Sequence, residues 1–322
     1  MTGGIDAGCV RLRLGSTRGR ISEVVVASER PAISQVLRGR PADEAVRLLP
    51  MLFALCGQAQ GRAAALALAA ARGAECSTQL DAAILREALR EHLWRWLLDL
   101  PPLLGEVAMR EEFVAAAGCI ARGQRDELGA LLAGSRIEAL RQRLGELEDV
   151  ADPQPRLLPA LDALSSLALW PQLDAGFCHT PHWQGAAAET GAIARQQGRA
   201  GIAASAFAAR WLARLEELRD WAGDKETVGA AGTASAASRE AASGRALVET
   251  ARGLLMHEIV LDGERIADYF IVAPTEWNFH PQGPVAVWLT GRDATDRDAV
   301  QSFAARAVAA LDPCVRWELE WL

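Results

Sequence analysis

Thiols carry most of the available chemistry in this sequence. Six cysteines, Cys9, Cys56, Cys76, Cys119, Cys178 and Cys314, are scattered over 322 residues, and none stands at Cys-x-x-Cys spacing. A thiolate is a nucleophile and a soft metal ligand. A dispersed set in a long chain does not make a secreted disulfide framework, so the expected compartment is a reducing cytoplasm. Buried cysteines ordinarily behave as small apolar residues. That reading suits Cys9, Cys76 and Cys119, which fall on strand or helix faces, and it would suit Cys56 and Cys314 if each were taken alone. Cys178-His179-Thr180-Pro181-His182 has the composition of a metal cluster. Its spacing fits no zinc pattern, and no second pair completes four ligands. His92 falls on an amphipathic helix, and His257 and His280 fall in or beside predicted strands. There is no Gly-x-Gly-x-x-Gly after a strand, no P-loop, no Gly-x-Ser-x-Gly and no His-Glu-x-x-His. No pair of carboxylates stands out from ordinary helix charges.

Composition narrows the classes further. Half of the residues are hydrophobic, enough to bury a substantial core as one large domain or two small ones. The net charge of -7 argues against a nucleic-acid surface. Lys225 is the only lysine, which together with the heavy alanine content reads as genome composition. No charged and then apolar leader opens the chain, and its longest apolar stretch, residues 63–71, is too short to span a membrane. The sequence therefore predicts a soluble intracellular protein.

The elements that position these residues follow from periodicity. Residues 10–14 and 21–26 alternate around the turn-rich 15–20 and predict a hairpin. The period then becomes helical: 42–72, broken near Pro50; 77–100, starting at Ser77 or Asp81 and stopping at Pro101-Pro102; and about 107–121, 125–148 and 200–222. Residues 151–190 are irregular, and 223–244, rich in Gly, Ala and Ser, predict a flexible surface loop. Residues 254–261 and 265–272 flank Asp262-Gly263-Glu264 as a second hairpin, and a last helix runs from 296 to 311. The simplest assembly is one α+β domain over 1–322, helix-rich, in which terminal β-hairpins flank a central helical bundle and share a sheet.

Several segments, in order, resemble the motifs of nickel-iron hydrogenase large subunits. Leu52-Phe53-Ala54-Leu55-Cys56-Gly57-Gln58-Ala59-Gln60 and Asp312-Pro313-Cys314-Val315-Arg316-Trp317-Glu318-Leu319-Glu320 resemble that family's two cysteine motifs. Each family motif carries two cysteines at Cys-x-x-Cys spacing and then a histidine. Between them, Glu189-Thr190-Gly191-Ala192-Ile193-Ala194-Arg195, Thr250-Ala251-Arg252-Gly253 and Pro274-Thr275-Glu276-Trp277-Asn278 with Gly283-Pro284 resemble further family motifs in register. The family's first cysteine and histidine are matched by Phe53 and Gln60, and its last cysteine and histidine by Trp317 and Glu320. The glutamate of the family's opening Glu-Gly-His motif is at best Asp6. Leu322 follows Glu320 by two residues, which leaves none of the removable tail that hydrogenase precursors carry.

The motif context reverses the apolar reading of Cys56 and Cys314. A frame with half its ligands resembles the shrunken large-subunit relatives that act in hydrogenase maturation, the HupK/HoxV family. The resemblance implies a non-catalytic scaffold that receives iron already bearing cyanide and carbon monoxide, before transfer to the apo large subunit. Soft thiolates suit such an iron, and two cysteines fill two of its three remaining positions, leaving one for exchange. Two cannot supply the four thiolates of a nickel site, so no nickel is expected. Cys56 and Cys314 are the implied metal residues. Arg252 is the implied guanidinium donor to cyanide, and Thr275 a lesser donor. The implied partners are a small cofactor-carrying chaperone, the complex that assembles the iron fragment, and the apo large subunit, with no nucleic acid or membrane. The competing readings are a degenerate hydrogenase with redox activity and a metal-free structural relative.

Overall fold

The computed structural model describes residues 8–30, 33–53, 55–74, 76–147, 150, 156–159, 161, 169–197, 205–225 and 231–322. The protein is α+β, as its patterning predicts, but its strands form two separate sheets. The N-terminal hairpin, β1 (Cys9–Thr17) and β2 (Arg20–Glu29), is joined by β8 (Arg316–Trp321), which runs parallel to β1 with Cys9 opposite Arg316. The second sheet is antiparallel, in the order β3 (Cys76–Leu80), β4 (Thr233–Glu240), β5 (Ser243–Thr250), β6 (Gly253–Asp262) and β7 (Arg265–Val272). The expectation that the two terminal hairpins share a sheet is thus corrected. The second hairpin pairs instead through β6 with β5, and the first takes β8 as its third strand.

Helix Gly57–Ala71 covers one face of the larger sheet, packing Ala63, Ala64, Ala67 and Ala70 against Ala234, Ala236, Ala246 and Val248. The other face carries Leu247, Leu254, Met256 and Val272 against Trp170, Trp183 and Trp277. This arrangement overturns the surface loop predicted over 223–244. Within it, residues 226–230 lie outside the described set, and 233–240 and 243–250 are strands. The small residues are there for close approach. A Cβ on Gly244 would fall 2.1 Å from the Ala71 nitrogen and 2.3 Å from the Ala67 oxygen, separations that backbone atoms do not tolerate.

The helices match the periodic segments with shifted boundaries. The segment expected as one helix from 77 begins as β3. Helix Ala82–Trp94 then starts after Asp81, whose carboxylate accepts from the Ala83 and Ile84 amides at 2.9 and 3.3 Å. It runs on through a π-turn, Arg95–Asp99, into Leu100–Leu103. Pro101 and Pro102 do not stop it, because they occupy the first turn of that short segment, where no amide donor is required. The helix expected over 125–148 is split at Ala133-Gly134 into Arg125–Leu132 and Ser135–Arg143. Helices Arg110–Arg122, Ala206–Ala222 and Arg297–Leu311 complete the main core with the three-stranded sheet. No helix of the described residues is long and apolar enough to cross a membrane.

Candidate functional site

Each site residue stands where an element ends. Helix Ala42–Leu52 ends at Phe53 and helix Gly57–Ala71 begins after Cys56, which caps it without a side-chain bond. Helix Arg297–Leu311 ends at Asp312, held in the left-handed region at φ 56°, and Cys314 follows before β8. Arg252 sits in the tight turn between β5 and β6, and Thr275 in the first turn of helix Pro274–Asn278. Element termini put unsatisfied backbone and free side chains in one place.

Cys56 and Cys314 line the same open cavity of about 680 Å³, with Arg30, Arg95, Trp211 and Trp317 also in its wall. Behind them is a narrow recess of about 20 Å³, bordered by both cysteines together with Gln60, Glu91 and Arg252. Such a recess has room for roughly one water. The structure thus brings Cys56, Cys314, Arg252 and Thr275 together. Thr275 contacts Cys314 itself: its Oγ1 lies 3.3 Å from Cys314 Sγ and accepts from the Cys314 amide at 3.4 Å.

The two thiols have different surroundings. Arg30 Nη2 donates to Cys314 Sγ at 2.9 Å, while Arg30 Nε pairs with Glu276 Oε1 at 2.5 Å. Burial would push the Cys314 thiol up. The guanidinium groups of Arg30 and Arg252, with hydrogen bonds from Thr275 and Arg30, outweigh it and hold Cys314 below the ordinary thiol range. Burial pushes the Cys56 thiol up to about 12, reinforced by charge on Cys314 and opposed by Arg252. The two thiols influence one another, and the proton is held more firmly on Cys56 than on Cys314.

Arg252 is held from several sides. Its Nη2 donates to Glu91 Oε2 at 3.0 Å and its Nε to Asp312 Oδ1 at 3.3 Å, and its Nη1 makes no hydrogen bond among the described residues. Asp312 also takes Arg95 Nε at 2.7 Å. Burial opposes its charge, but Arg252, Arg95 and Arg214 keep its carboxyl down at about 2. The backbone of the Arg252 turn is pinned as well. Asn278 accepts from the Thr190 amide at 3.0 Å and donates to the Arg252 carbonyl at 3.2 Å. A Cβ on Gly191, at φ 103°, would meet that carbonyl at 2.9 Å. The three middle motifs are thus the housing of one arginine. Arg195, from the first of them, pairs with Glu217 and Glu249 beneath it.

Sequence reasoning missed Arg30, Arg95 and Glu276. Arg30 and Cys314 are 284 residues apart, and no local pattern marks Arg30. Glu276 did carry a signal, because it lies within Pro274-Thr275-Glu276-Trp277-Asn278, one of the segments that resemble the family's motifs. Apart from His257, which lies 2.8 Å from Gln60 behind Cys56, the remaining thiols and histidines fall elsewhere. Cys9 and Cys119 are buried in the main core region, and the side chain of Cys76 lies outside the described residues. Burial pushes Cys178 up to about 12. His182 stacks edge-on against Phe177, and His92 is fully buried against Glu217 at 2.7 Å. Among the described residues, no group of three or more His, Cys, Asp or Glu side chains is placed to hold a metal ion.

Known proteins resemble this chain at two levels. A family model described as nickel-dependent hydrogenase matches residues 185–316. The fold is similar to that of NiFeSe hydrogenase from Desulfovibrio vulgaris Hildenborough, at TM-score 0.58 and 15% identity, covering 93% of this chain and 94% of that one. The reduced NiFeSe hydrogenase of Desulfomicrobium baculatum gives 0.56 and 14%, over 94% and 95%. In sequence, the chain is 34% identical to the hydrogenase expression/formation protein HoxV of Cupriavidus necator over 92% of both chains. It is 32% identical to HupK of Rhizobium leguminosarum bv. viciae, named likewise, over 99% of this chain and 98% of that one. With its fold, its motifs and these relatives taken together, the chain belongs to the HoxV/HupK family of hydrogenase expression/formation proteins.

Proposed function

We propose that this protein is a non-catalytic scaffold in hydrogenase maturation. Its cargo is an iron atom already bearing cyanide and carbon monoxide, held by Cys56 and Cys314 until it passes to the apo large subunit. The observation that carries this reading is the pair of thiols from opposite ends of the chain on one open cavity, flanked by arginines. Soft sulfur donors suit a low-valent, π-acid-loaded iron, and a cavity of about 680 Å³ exceeds the needs of three diatomic ligands. Iron that bears cyanide and is held by two thiolates is anionic as a unit, and Arg30, Arg95 and Arg252 supply complementary charge. Arg252 is the candidate donor to cyanide nitrogen, through the Nη1 that its ion pairs leave over. The recess in front of it must widen to admit a diatomic ligand, because it now holds about one water. Thr275 orients Cys314 rather than the cargo.

A hydrogenase-type binuclear centre needs two further thiolates. Phe53 and Trp317, which match those positions in the family motifs, line the cavity wall and offer none. The partners of a carrier are its donor and its acceptor: a maturation chaperone with the complex that assembles the iron fragment, and the apo large subunit. The open, apolar mouth leaves such a partner room to reach the thiols.

Infrared spectroscopy on protein purified anaerobically from its own host tests the reading, with Cys56→Ser and Cys314→Ser alongside. Sharp carbonyl and cyanide stretches are expected, absent from both variants and unaccompanied by nickel in metal analysis. Iron-free protein without bands would replace the carrier by a relative that acts through protein contacts alone. Bands with stoichiometric nickel would make the protein an enzyme.

A further inference from the structure

We infer that Tyr269, His257 and Gln60 form a one-directional hydrogen-bond chain that ends on Cys56 Sγ and positions that sulfur. Three elements contribute. Tyr269 on β7 lies 2.8 Å from His257 Nδ1, His257 on β6 has Nε2 2.8 Å from Gln60 Oε1, and Gln60, one turn into helix Gly57–Ala71, has Nε2 3.8 Å from Cys56 Sγ. All three are buried, with His257 at 0% exposure and Tyr269 and Gln60 at 2%. Nothing in the proposed carrier function calls for a buried histidine and tyrosine behind the helix that presents the thiol.

The direction follows from what each group can give. Burial holds His257 neutral, so its ring has one donor and one acceptor. A buried phenol must place its proton. His257 Nδ1 is the hydrogen-bond partner of the Tyr269 hydroxyl among the described residues. Tyr269 therefore donates to Nδ1, which puts the ring proton on Nε2 and aims it at Gln60 Oε1. The Gln60 carbonyl is thereby occupied, and its amide N–H faces the sulfur. The reverse order would make Nδ1 a donor and leave the Tyr269 proton without an acceptor in a dry site, a costly arrangement. Each bond also polarises the next.

The chain gives Cys56 what Arg30 gives Cys314, in a neutral form. An N–H donor fixes the direction in which the sulfur lone pairs point and drains electron density from a thiolate without adding charge. Gln60 replaces a histidine of the related cysteine motif. An amide there can receive from His257 and donate to sulfur at once, whereas a neutral imidazole would have to turn a different nitrogen to each. Gln60, His257 and Tyr269 are positioning residues. None of them needs to touch the cargo.

The test uses the full-length protein with 15N-labelled histidine and glutamine, and needs no cargo. Nuclear magnetic resonance is expected to find His257 as the Nε2–H tautomer, with a hydrogen-bonded, pyridine-type Nδ1 that shifts in Tyr269→Phe. The Gln60 side-chain amide protons are expected to shift in Cys56→Ala and to stay in place in Cys314→Ala. The Nδ1–H tautomer, or Gln60 amide signals blind to the loss of Cys56, would overturn the chain. Its meaning for iron rests on the proposed function and has its own readout. In cargo-loaded protein, Tyr269→Phe should move the carbonyl stretch to lower wavenumber, because a less hydrogen-bonded thiolate donates more strongly to iron. A loaded Tyr269→Phe protein with an unmoved stretch would remove the electronic role, whereas absence of bands in the wild type would count against the carrier reading alone.

Discussion

Cys314 and Cys56 are the same side chain with opposite tendencies, and the difference lies in a few neighbours. Arg30 approaches Cys314 to 2.9 Å and is itself held by Glu276, which also accepts from Ser28 at 3.0 Å and from the Ala273 amide at 3.1 Å. A guanidinium fixed in this way stabilises a thiolate and is not free to swing to solvent. Arg30→Gln keeps a hydrogen-bond donor and removes the charge. Because Arg30 holds the Cys314 thiol down, its loss should raise that value and leave less thiolate at neutral pH. Alkylation of Cys314 by iodoacetamide at pH 7, read by peptide mass spectrometry, should slow about tenfold, and its pH profile should move upward by about one unit. An unchanged profile would show that Arg252 and Thr275 suffice. The cysteines themselves were legible in the sequence, but only through the motifs around them. Arg30 was not, because its function depends on a contact that folding alone creates.

Helix Gly57–Ala71 carries Cys56 at its start and rests along its length on a sheet of small residues. Gly244 is the tightest point of that contact, with the helix backbone 2.1–2.6 Å from where a Cβ would stand. Neither side can yield cheaply, since both are regular backbone. Gly244→Ala should therefore cost about 3 kcal/mol, at the upper end of overpacking effects, and push the helix off the sheet. Urea denaturation measures the cost. Weakened Gln60–His257 coupling in the same variant would show that the displacement reaches the site. A stability within 0.5 kcal/mol of wild type, roughly the scatter of surface substitutions, would mean that the helix glides over β5 freely. This contact also explains where periodicity misled. Residues 233–250 are poor in the β-branched and aromatic side chains that advertise strands, because the helix above them excludes such side chains. The two hairpins with ordinary composition, 9–29 and 253–272, were legible to within a few residues. β8 was not, since it begins inside the last motif and pairs with β1 in parallel, a partner no local pattern indicates.

At the scale of the molecule, the first hairpin and β8 converge on the site. β2 delivers Arg30 where it ends, and β8 takes up the chain just after Cys314, both flanking β1. Around this junction lies an interior dense in charge: Arg195, Arg214 and Arg252 against Glu91, Glu217, Glu249 and Asp312, with His92 and His257 held neutral nearby. Such an interior makes stability a function of pH. Burial lowers His257 from its ordinary 6.5 to about 3 and lowers His92 as well, against the pull of Glu217 on the latter. Burial opposes the charges of Glu217 and Asp312, but their arginine partners hold both at about 2. All four values are depressed in the folded state, so each group's contribution is complete above its unfolded value and is lost as pH falls toward the folded one. The histidines act first, below pH 6.5, and the carboxylates follow below about pH 4. Burial raises Glu249 and Glu87 above their ordinary 4.5, and these act with the opposite sign, offsetting part of the histidine loss as pH falls toward 4.5. His257 alone should remove about 2 kcal/mol between pH 7.5 and pH 5. Urea unfolding of the wild type at pH 7.5 and pH 5 should show a net loss of stability. In His257→Gln, already weaker at pH 7.5 for want of the ring's packing, the difference between the two pH values should shrink by about 2 kcal/mol. An undiminished difference would mean that His257 reaches solvent and takes up its proton in the folded state, which would also dissolve the fixed tautomer on which the donor chain to Cys56 depends.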